Sequence, residues 1–223
     1  KSGRAGLGMI GVSGNCKGIS LTWKEGTVLA LIGGFVTEDY LKEKIVELLK
    51  EGTELIVLDY KALLHFVEEV REYESQIQDV GIQAYLLNPL QSAYDYEDIA
   101  RDYLRQMLPS RICGKKAIEE VFEAEEEKTV QMAAYLSYVP FHAYPLVLEK
   151  LKEQEMEELY LTIERPTVAT LYDMEKYGIT VEKDALKEYG DQLIGRIEEL
   201  EQNIYEKAGK TFNKRVIQQM QIF

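Results

Sequence analysis

Cysteine and histidine are scarce in this sequence, with two of each among 223 residues. Cys16 and Cys113 form neither a C-x-x-C pair nor a metal-type spacing, and two cysteines make no disulfide framework. His65 and His142 have no partner at the spacing of a metal site or a catalytic triad, so we interpret both as ordinary helix residues. A reducing cytoplasm is therefore the predicted compartment.

Long apolar runs are also missing, because no stretch approaches the ~18 consecutive apolar residues of a transmembrane helix. The first residues, KSGRAGLGMI, are basic and glycine-rich but lack the apolar centre and the cleavage site of a signal peptide. We expect this start to be a truncation of a longer protein. The hydrophobic share of 46% and the charged share of 29% are typical of a soluble globular protein with one to two domains.

Basic residues are few relative to acidic ones, with 26 Lys and Arg against 39 Asp and Glu and a net charge of −13. A protein that grips nucleic acid gains affinity when lysine and arginine displace counterions from the phosphates. Most of this surface should instead repel a duplex, so we predict weak DNA binding, or none, for this chain alone. The acidic balance is equally well explained as a means of staying soluble.

The apolar residues that are present predict strands first and helices later. Short apolar runs between turn residues predict strands at Met9–Val12, Ile19–Trp23 and Val28–Ile32, and Leu55–Leu58 predicts a buried strand. Thr37, followed by two acids, is a predicted helix N-cap. Strands followed by alternating helix and strand indicate an α/β domain with a mixed sheet.

Helical patterns dominate the rest of the chain. Residues Leu63–Val70 predict a helix, and from about Gly81 onward the pattern is almost wholly helical. Asn88, followed by proline, breaks one helix, and Asp95 is a predicted cap of the next. The residues Leu146–Leu161 predict a continuous helix, after which Pro166 must start, kink or interrupt the helical run.

A long amphipathic helix is predicted near the carboxy end, at Asp184–Ala208. Its apolar residues recur at spacings of three and four and are Leu186, Tyr189, Leu193, Ile197, Leu200 and Ile204. Such a stripe covers one helix face, and Gly209 should end the helix. The stripe predicts a face for an antiparallel partner helix, and a dimer zipper is the alternative.

The stretch from Leu161 to the end carries an ordered set of residues that resembles a known family. The matching residues are Glu164, Pro166, Leu171, Met174, Glu175, Gly178, Ile179, Val181, Leu186, Ile204, Tyr205, Ala208, Gly209, Phe212 and Asn213. In this order they resemble the place where a family A DNA polymerase, of the bacterial DNA polymerase I family, passes from its 3′–5′ exonuclease domain into its thumb. A second segment, Val80–Leu104 with the preceding Asp79, is similar to a further motif of that exonuclease domain.

The resemblance implies an RNase H-like mixed sheet flanked by helices, followed by an all-helical segment with a long amphipathic thumb helix. We predict an RNase H-like domain over residues 1–160 and the truncated start of the polymerase thumb over residues 161–223. The resemblance also implies that an active exonuclease would hold two divalent metals through converging carboxylates. Those carboxylates come from D-x-E on the first strand, from an Asp after a later strand, and from an Asp on a helix.

None of the three predicted ligand positions carries its carboxylate. Residues 1–24, which should contain the first motif, include no Asp or Glu. By the resemblance, Asp59 stands for the asparagine of the second motif and Leu63 for its metal-binding Asp. Met132 and Leu136 stand for the tyrosine and the aspartate of the third motif. Asp59 could line an active-site rim, but we interpret it as a helix N-cap or a surface acid.

The thumb end has one compact basic cluster. Lys210, Lys214 and Arg215, together with Asn213, are candidate contacts to the DNA backbone, although the Ser-Pro pair of the family pattern is missing here. Solvated surface bases are the alternative. No cofactor is predicted in this fragment, because Mg²⁺ is expected only in the palm of the parent polymerase, which this sequence does not contain.

The leading hypothesis is a fragment of a DNA polymerase of replication or repair, whose vestigial exonuclease domain packs on and supports the polymerase domain. DNA would bind through the parent, and no membrane association is expected. A second hypothesis is an active exonuclease with a metal site rearranged around Asp59 and acids of the later helices. A third is a non-enzymatic interaction module that uses the Asp184–Ala208 helix.

Overall fold

The computed structural model describes residues 3–12, 15–32, 36–109 and 126–209. It contains a five-stranded sheet with the strand order β3-β2-β1-β4-β5. The strands are β1 (Arg4–Val12), β2 (Asn15–Lys24), β3 (Thr27–Ile32), β4 (Glu54–Val57) and β5 (Ile77–Asp79). The pairs β1–β2 and β2–β3 are antiparallel, whereas β1–β4 and β4–β5 are parallel. The predicted mixed sheet and its first four strands are confirmed.

The helices follow the capping signals of the sequence closely. They are α1 (Glu38–Lys50), α2 (Tyr60–Phe66), α3 (Val80–Leu87), α4 (Tyr96–Ile99), α5 (Glu126–Glu153), α6 (Glu157–Leu159), α7 (Arg165–Tyr177) and α8 (Lys183–Ala208). The Thr37 hydroxyl accepts the backbone N–H of Tyr40, as an N-cap should. Asp95 likewise caps α4, and Pro166 is the second residue of α7.

The prediction of one helix over Leu63–Val70 is wrong. Helix α2 ends at Phe66, Val67 is extended with φ −135° and ψ 93°, and a 3₁₀ helix follows over Glu68–Gln76. The break brings both Val67 and Val70 into the core, where they are fully buried. A β-branched residue is at ease in extended backbone, which helps to explain why the chain breaks there.

The prediction of a continuous helix over Leu146–Leu161 is also wrong. Helix α5 ends at Glu153, and Glu155 adopts a left-handed conformation with φ 58°. The N–H of Met156 then bonds the carbonyl of Leu151 at 2.9 Å, which closes the helix end. Glycine is the usual residue in this conformation, so a glutamate there does not signal a break. Helical backbone resumes in α6 and a π-type turn over Tyr160–Glu164.

Two apolar clusters lie on opposite faces of the sheet, because successive strand residues point to opposite sides. Ile10 and Ile56 belong to the first cluster, which packs against α3, α4 and α5. Leu7 and Leu55 belong to the second cluster, which packs against α1, α2 and α7. None of the described helices has both the length and the apolar character needed to cross a membrane.

The chain divides into two compact units, one ending at Lys176 and the other starting at Tyr177. The first unit holds the sheet and all helices up to α7. The second holds α8, which ends at Gly209 as predicted. The domain boundary expected between residues 160 and 161 stays a prediction.

Candidate nuclease site

The strand predicted to carry the first metal motif is β1, and its Gly6 and Gly8 lie against helix α5. A Cβ atom at Gly8 would lie 2.5 Å from the Cβ of Leu136 and 2.6 Å from the hydroxyl of Ser20. A Cβ atom at Gly6 would overlap the carbonyl oxygen of Ser137. These positions are too close for any side chain without a shift of the helix. The first strand therefore has no carboxylates, and at Gly6 and Gly8 it has no room for them.

The α5 side of this contact is apolar where the third motif should supply its ligand. Met132 and Leu136 are buried in the first cluster together with Ile10 and Ile56. One polar pair lies in the same contact, the hydroxyls of Thr22 and Ser137 at 2.8 Å, and both residues are buried. Leucine at this position packs as core and contributes no oxygen to a metal.

Leu63, the counterpart of the second metal-binding Asp, lies elsewhere. It is fully buried in the second cluster, on the face of the sheet that carries α1 and α2. The structure therefore brings Met132 and Leu136 together with β1, but assigns Leu63 to a different cluster. Both locations are apolar.

Asp59 is exposed and acts as the N-cap of α2. Its Oδ1 accepts the backbone N–H of Ala62 at 2.8 Å. This geometry agrees with our interpretation of Asp59 as a helix cap.

Asp79, which matches the family motif at a position that is not a metal ligand, is a buried carboxylate. Its Oδ2 accepts the backbone N–H of Tyr60 at 2.8 Å and its Oδ1 accepts that of Ile82 at 3.0 Å, so it serves the first turns of both α2 and α3. Its own N–H donates to the hydroxyl of Tyr160 at 2.8 Å. Burial raises the pKa of Asp79 to about 7. An Asp between an apolar strand and a helix start was the available signal.

Two divalent metals do not fit this donor set. Mg²⁺ takes hard oxygen ligands, whereas the matched positions offer Leu63, Met132 and Leu136. Over residues 3–12, 15–32, 36–109 and 126–209, no three side chains of His, Cys, Asp or Glu are grouped so that they could hold a metal ion. Asp79 already directs both oxygens to backbone N–H groups.

The two histidines lie in helices, as interpreted. His65 Nε2 is 2.8 Å from Oε2 of Glu175, and its ring meets that of Tyr172 edge-on at 4.9 Å. His142 stacks on Tyr138 at 3.9 Å between ring centres. The candidate DNA contacts Lys210, Asn213, Lys214 and Arg215 lie outside the described residues.

Comparisons with known proteins point to one family, although no protein-family model matches the chain. DNA polymerase I of Caldicellulosiruptor bescii is 29% identical over 180 residues, which is 80% of this chain and 19% of that protein. DNA polymerase I of Streptococcus pneumoniae is 30% identical over 178 residues, covering 78% of this chain and 20% of that protein. DNA polymerase I of Bacillus subtilis is 31% identical over 137 residues, which is 60% of this chain and 15% of that protein.

The chain thus spans about a fifth or less of the length of these curated relatives. Among solved structures, the polymerase domain of Pol1 from M. smegmatis, in complex with DNA primer–template and dNTP, matches with a TM-score of 0.68. The match covers 99% of this chain and 36% of that one at 18% identity, which is a likeness of fold. The chain therefore belongs to the family of bacterial DNA polymerase I, the family A DNA polymerases.

Proposed function

We propose that the chain is the exonuclease-like domain and the start of the thumb of a DNA-directed DNA polymerase that acts in replication or repair. The exonuclease-like domain is of the RNase H-like type and does not cleave DNA. Its role is structural, since it packs on and supports the polymerase domain. The parent protein binds DNA, and the cytoplasm is its proposed compartment.

One observation carries the proposal of inactivity. Helix α5 approaches β1 so closely that Gly8 has no space for a Cβ atom beside Leu136. A two-metal mechanism requires carboxylates on the first strand and on this helix to face each other across a gap that holds the ions. Here the same two elements meet through glycine and leucine. Apolar contact has replaced the gap.

The sheet supports the domain assignment. The parallel neighbours β1, β4 and β5 and the antiparallel β2 and β3 form a mixed sheet flanked by helices, as an RNase H-like domain requires. The apolar stripe of α8 supports the thumb assignment, because Leu193, Ile197 and Leu200 remain exposed and fit a partner helix.

A nuclease assay tests the proposal. The purified chain is incubated with a single-stranded oligonucleotide labelled at its 5′ end, with Mg²⁺ and separately with Mn²⁺. We expect no shortening of the strand. An exonuclease-proficient polymerase serves as the positive control and should degrade it. Steady shortening from the 3′ end that a chelator abolishes would overturn the proposal.

The variant Asp59→Asn is the matched control for a rearranged metal site. Asparagine retains the N-cap of α2 and removes the carboxylate, so folding should be preserved. If the chain cleaves DNA and Asp59→Asn does not, the alternative of an active exonuclease built around Asp59 is correct. We expect the two proteins to be equally inactive.

The exposed stripe of α8 also favours a second candidate, a helix-mediated interaction module. Leu193 is 43% exposed and Ile197 is 53% exposed, an arrangement that a second copy could cover. Sedimentation of the chain measures this. A dimer that Leu193→Asp and Ile197→Asp convert to a monomer supports the interaction module. A monomer already in the unmutated chain excludes it.

A further inference from the structure

Helix α7 is held in the first unit by a small buried seam and by charges at its surface. It lies against α2 and the 3₁₀ helix Glu68–Gln76, and few of its own residues are buried. Those residues are Val168, Ala169 and Tyr172. Most of its other side chains face solvent, and Met174 is 63% exposed.

Three sets of ion pairs join the last turn of α7 to the two helices beneath it, and a longer pair, Arg165 with Glu74 at 3.9 Å, lies at the start of α7. Asp173 accepts two hydrogen bonds from the guanidinium of Arg71, both at 2.8 Å. Glu175 contacts Lys61 at 2.6 Å and His65 at 2.8 Å. We call this group, together with the pair below, the α7 clasp; its residues are Lys61, His65, Glu68, Arg71, Asp173, Glu175 and Lys176.

The remaining pair has the opposite polarity. Lys176 on α7 contacts both carboxylate oxygens of Glu68, at 2.6 and 2.7 Å. Along α7 the clasp therefore carries two acids, Asp173 and Glu175, followed by one base, Lys176. With about 3.6 residues per turn, sliding α7 by one turn would bring Lys176 to the place of Asp173, beside Arg71. Like charges would then meet, so the charge pattern specifies one register.

Tyr160 is the last residue before α7 that is buried in the first cluster. It is 1% exposed, and its hydroxyl accepts the N–H of Asp79. Ile163 after it is exposed, whereas Val168 and Tyr172 of α7 are buried in the second cluster. The chain is thus fixed by burial at Tyr160, and beyond it by the small buried seam of α7 together with the clasp.

We propose that the α7 clasp is a salt-sensitive latch that sets where the rigid part of the first unit ends. With the clasp closed, this part extends to Lys176. With the clasp open, α7 detaches as one segment and the rigid part ends near Tyr160. Exposed ion pairs are individually weak and are screened by salt, so a helix that relies on them is released before helices that rely on burial. The latch is independent of whether the chain cleaves DNA.

Hydrogen–deuterium exchange of the full chain, read by mass spectrometry, tests the latch. Raising the salt concentration from about 0.05 to about 1 M shortens the screening length from over 10 Å to about 3 Å. We expect amides of α7 to exchange about threefold faster or more, and amides of α5 to keep their rates. The variant Arg71→Asp should accelerate exchange in α7 by about fivefold at low salt and reduce the salt response, while the pairs of Glu175 and Lys176 remain.

The charge-swapped double variant Arg71→Asp with Asp173→Arg separates the latch from a general loss of packing. It restores an opposite pair at the same place, so protection of α7 should recover by at least half. Arg196→Asp, which breaks the Arg196–Glu199 pair within α8, is the control and should leave α7 unchanged. The proposal is overturned if α7 ignores both salt and Arg71→Asp, or if the swap fails to recover protection.

Discussion

Helices α5 and α7 contact the same unit in opposite ways. Helix α5 meets β1 at Gly6 and Gly8 through buried side chains, and one buried hydroxyl pair joins it to β2. Helix α7 meets α2 and the 3₁₀ helix through exposed charges and a small buried seam. The first contact tolerates no added atom, whereas the second depends on side chains that water can reach. The tighter of the two contacts is the one at the proposed former metal site.

The largest effect should come from returning a carboxylate to the first strand with Gly8→Asp. The new side chain would force α5 away from β1 and bury a charge without a partner. We expect a loss of at least about 3 kcal/mol in the free energy of unfolding, or failure to fold. Urea unfolding followed by circular dichroism measures it.

Gly3→Ala is the matched control for Gly8→Asp, together with Gly8→Ala. A Cβ atom at Gly3 meets nothing within 4 Å, so its stability should change by less than about 0.5 kcal/mol. Gly8→Ala adds only the Cβ atom and should cost about 1–3 kcal/mol. If Gly8→Ala is as mild as Gly3→Ala, the close contact between α5 and β1 is not as described.

The next effect concerns the helix side of the same contact. Leu136→Asp places an unpaired carboxylate in the first cluster and should cost on the order of 3–5 kcal/mol. It should not produce cleavage of DNA, because in the part of the chain that the structure describes no cluster of metal ligands exists for it to join. Leu146→Asp lies on the same helix at an exposed position and should cost less than about 1 kcal/mol. A Leu136→Asp protein that is stable and binds Mn²⁺ would contradict the proposed loss of the site.

For the contact between α5 and β1, the sequence predicted which residue types are present but not how closely the two elements approach. The lack of acids in residues 1–24 and the apolar Leu63 and Leu136 indicated the missing ligands. The close approach at Gly6 and Gly8 was not predictable, because a glycine-rich strand reads equally well as a flexible loop. It depends on the distance between two elements far apart in sequence.

For the helices, too, local features could be predicted from the sequence and contacts between distant residues could not. Pro166 and Asp95 gave correct boundaries because capping and proline effects are local. The clasp was not predicted, since Arg71 and Asp173 are brought together only by the fold. The left-handed Glu155 was missed because glutamate is an uncommon residue for that conformation.

A smaller effect, with a definite sign, concerns Asp79. Burial raises its pKa to about 7, so between about pH 4 and that value the folded protein holds a proton that the unfolded chain has lost. Stability from this group therefore falls as pH rises through that window. The variant Asp79→Asn keeps a cap-forming side chain but has no titratable group. Its free energy of unfolding should therefore change less with pH than that of the unmutated chain.

Thr37→Asn controls for a change of cap without an ionisable group, because Thr37 caps α1 through its hydroxyl. The free energy of unfolding of Thr37→Asn should change with pH in parallel with that of the unmutated chain. Denaturant unfolding at several pH values from 4 to 8 provides the comparison. An Asp79→Asn profile as steep as that of the parent would mean that the buried carboxyl does not titrate in this range.

The smallest effect should come from Lys61→Met, within the clasp. Lys61 and then His65 hold the pKa of Glu175 below its usual range, so this carboxylate stabilises the fold above that range and loses its contribution as pH falls. The sign is opposite to that of Asp79, as expected for a charge paired in water rather than buried without a counter-ion. Removing Lys61 should raise the pKa of Glu175 in a carbon-detected NMR titration and barely change global stability.

The control is Lys44→Met, which breaks a pair with Glu47 on α1 and should leave the pKa of Glu175 unchanged. A large loss of global stability from Lys61→Met would mean that α7 is packed as firmly as α5, and the contrast between the two helices would fail.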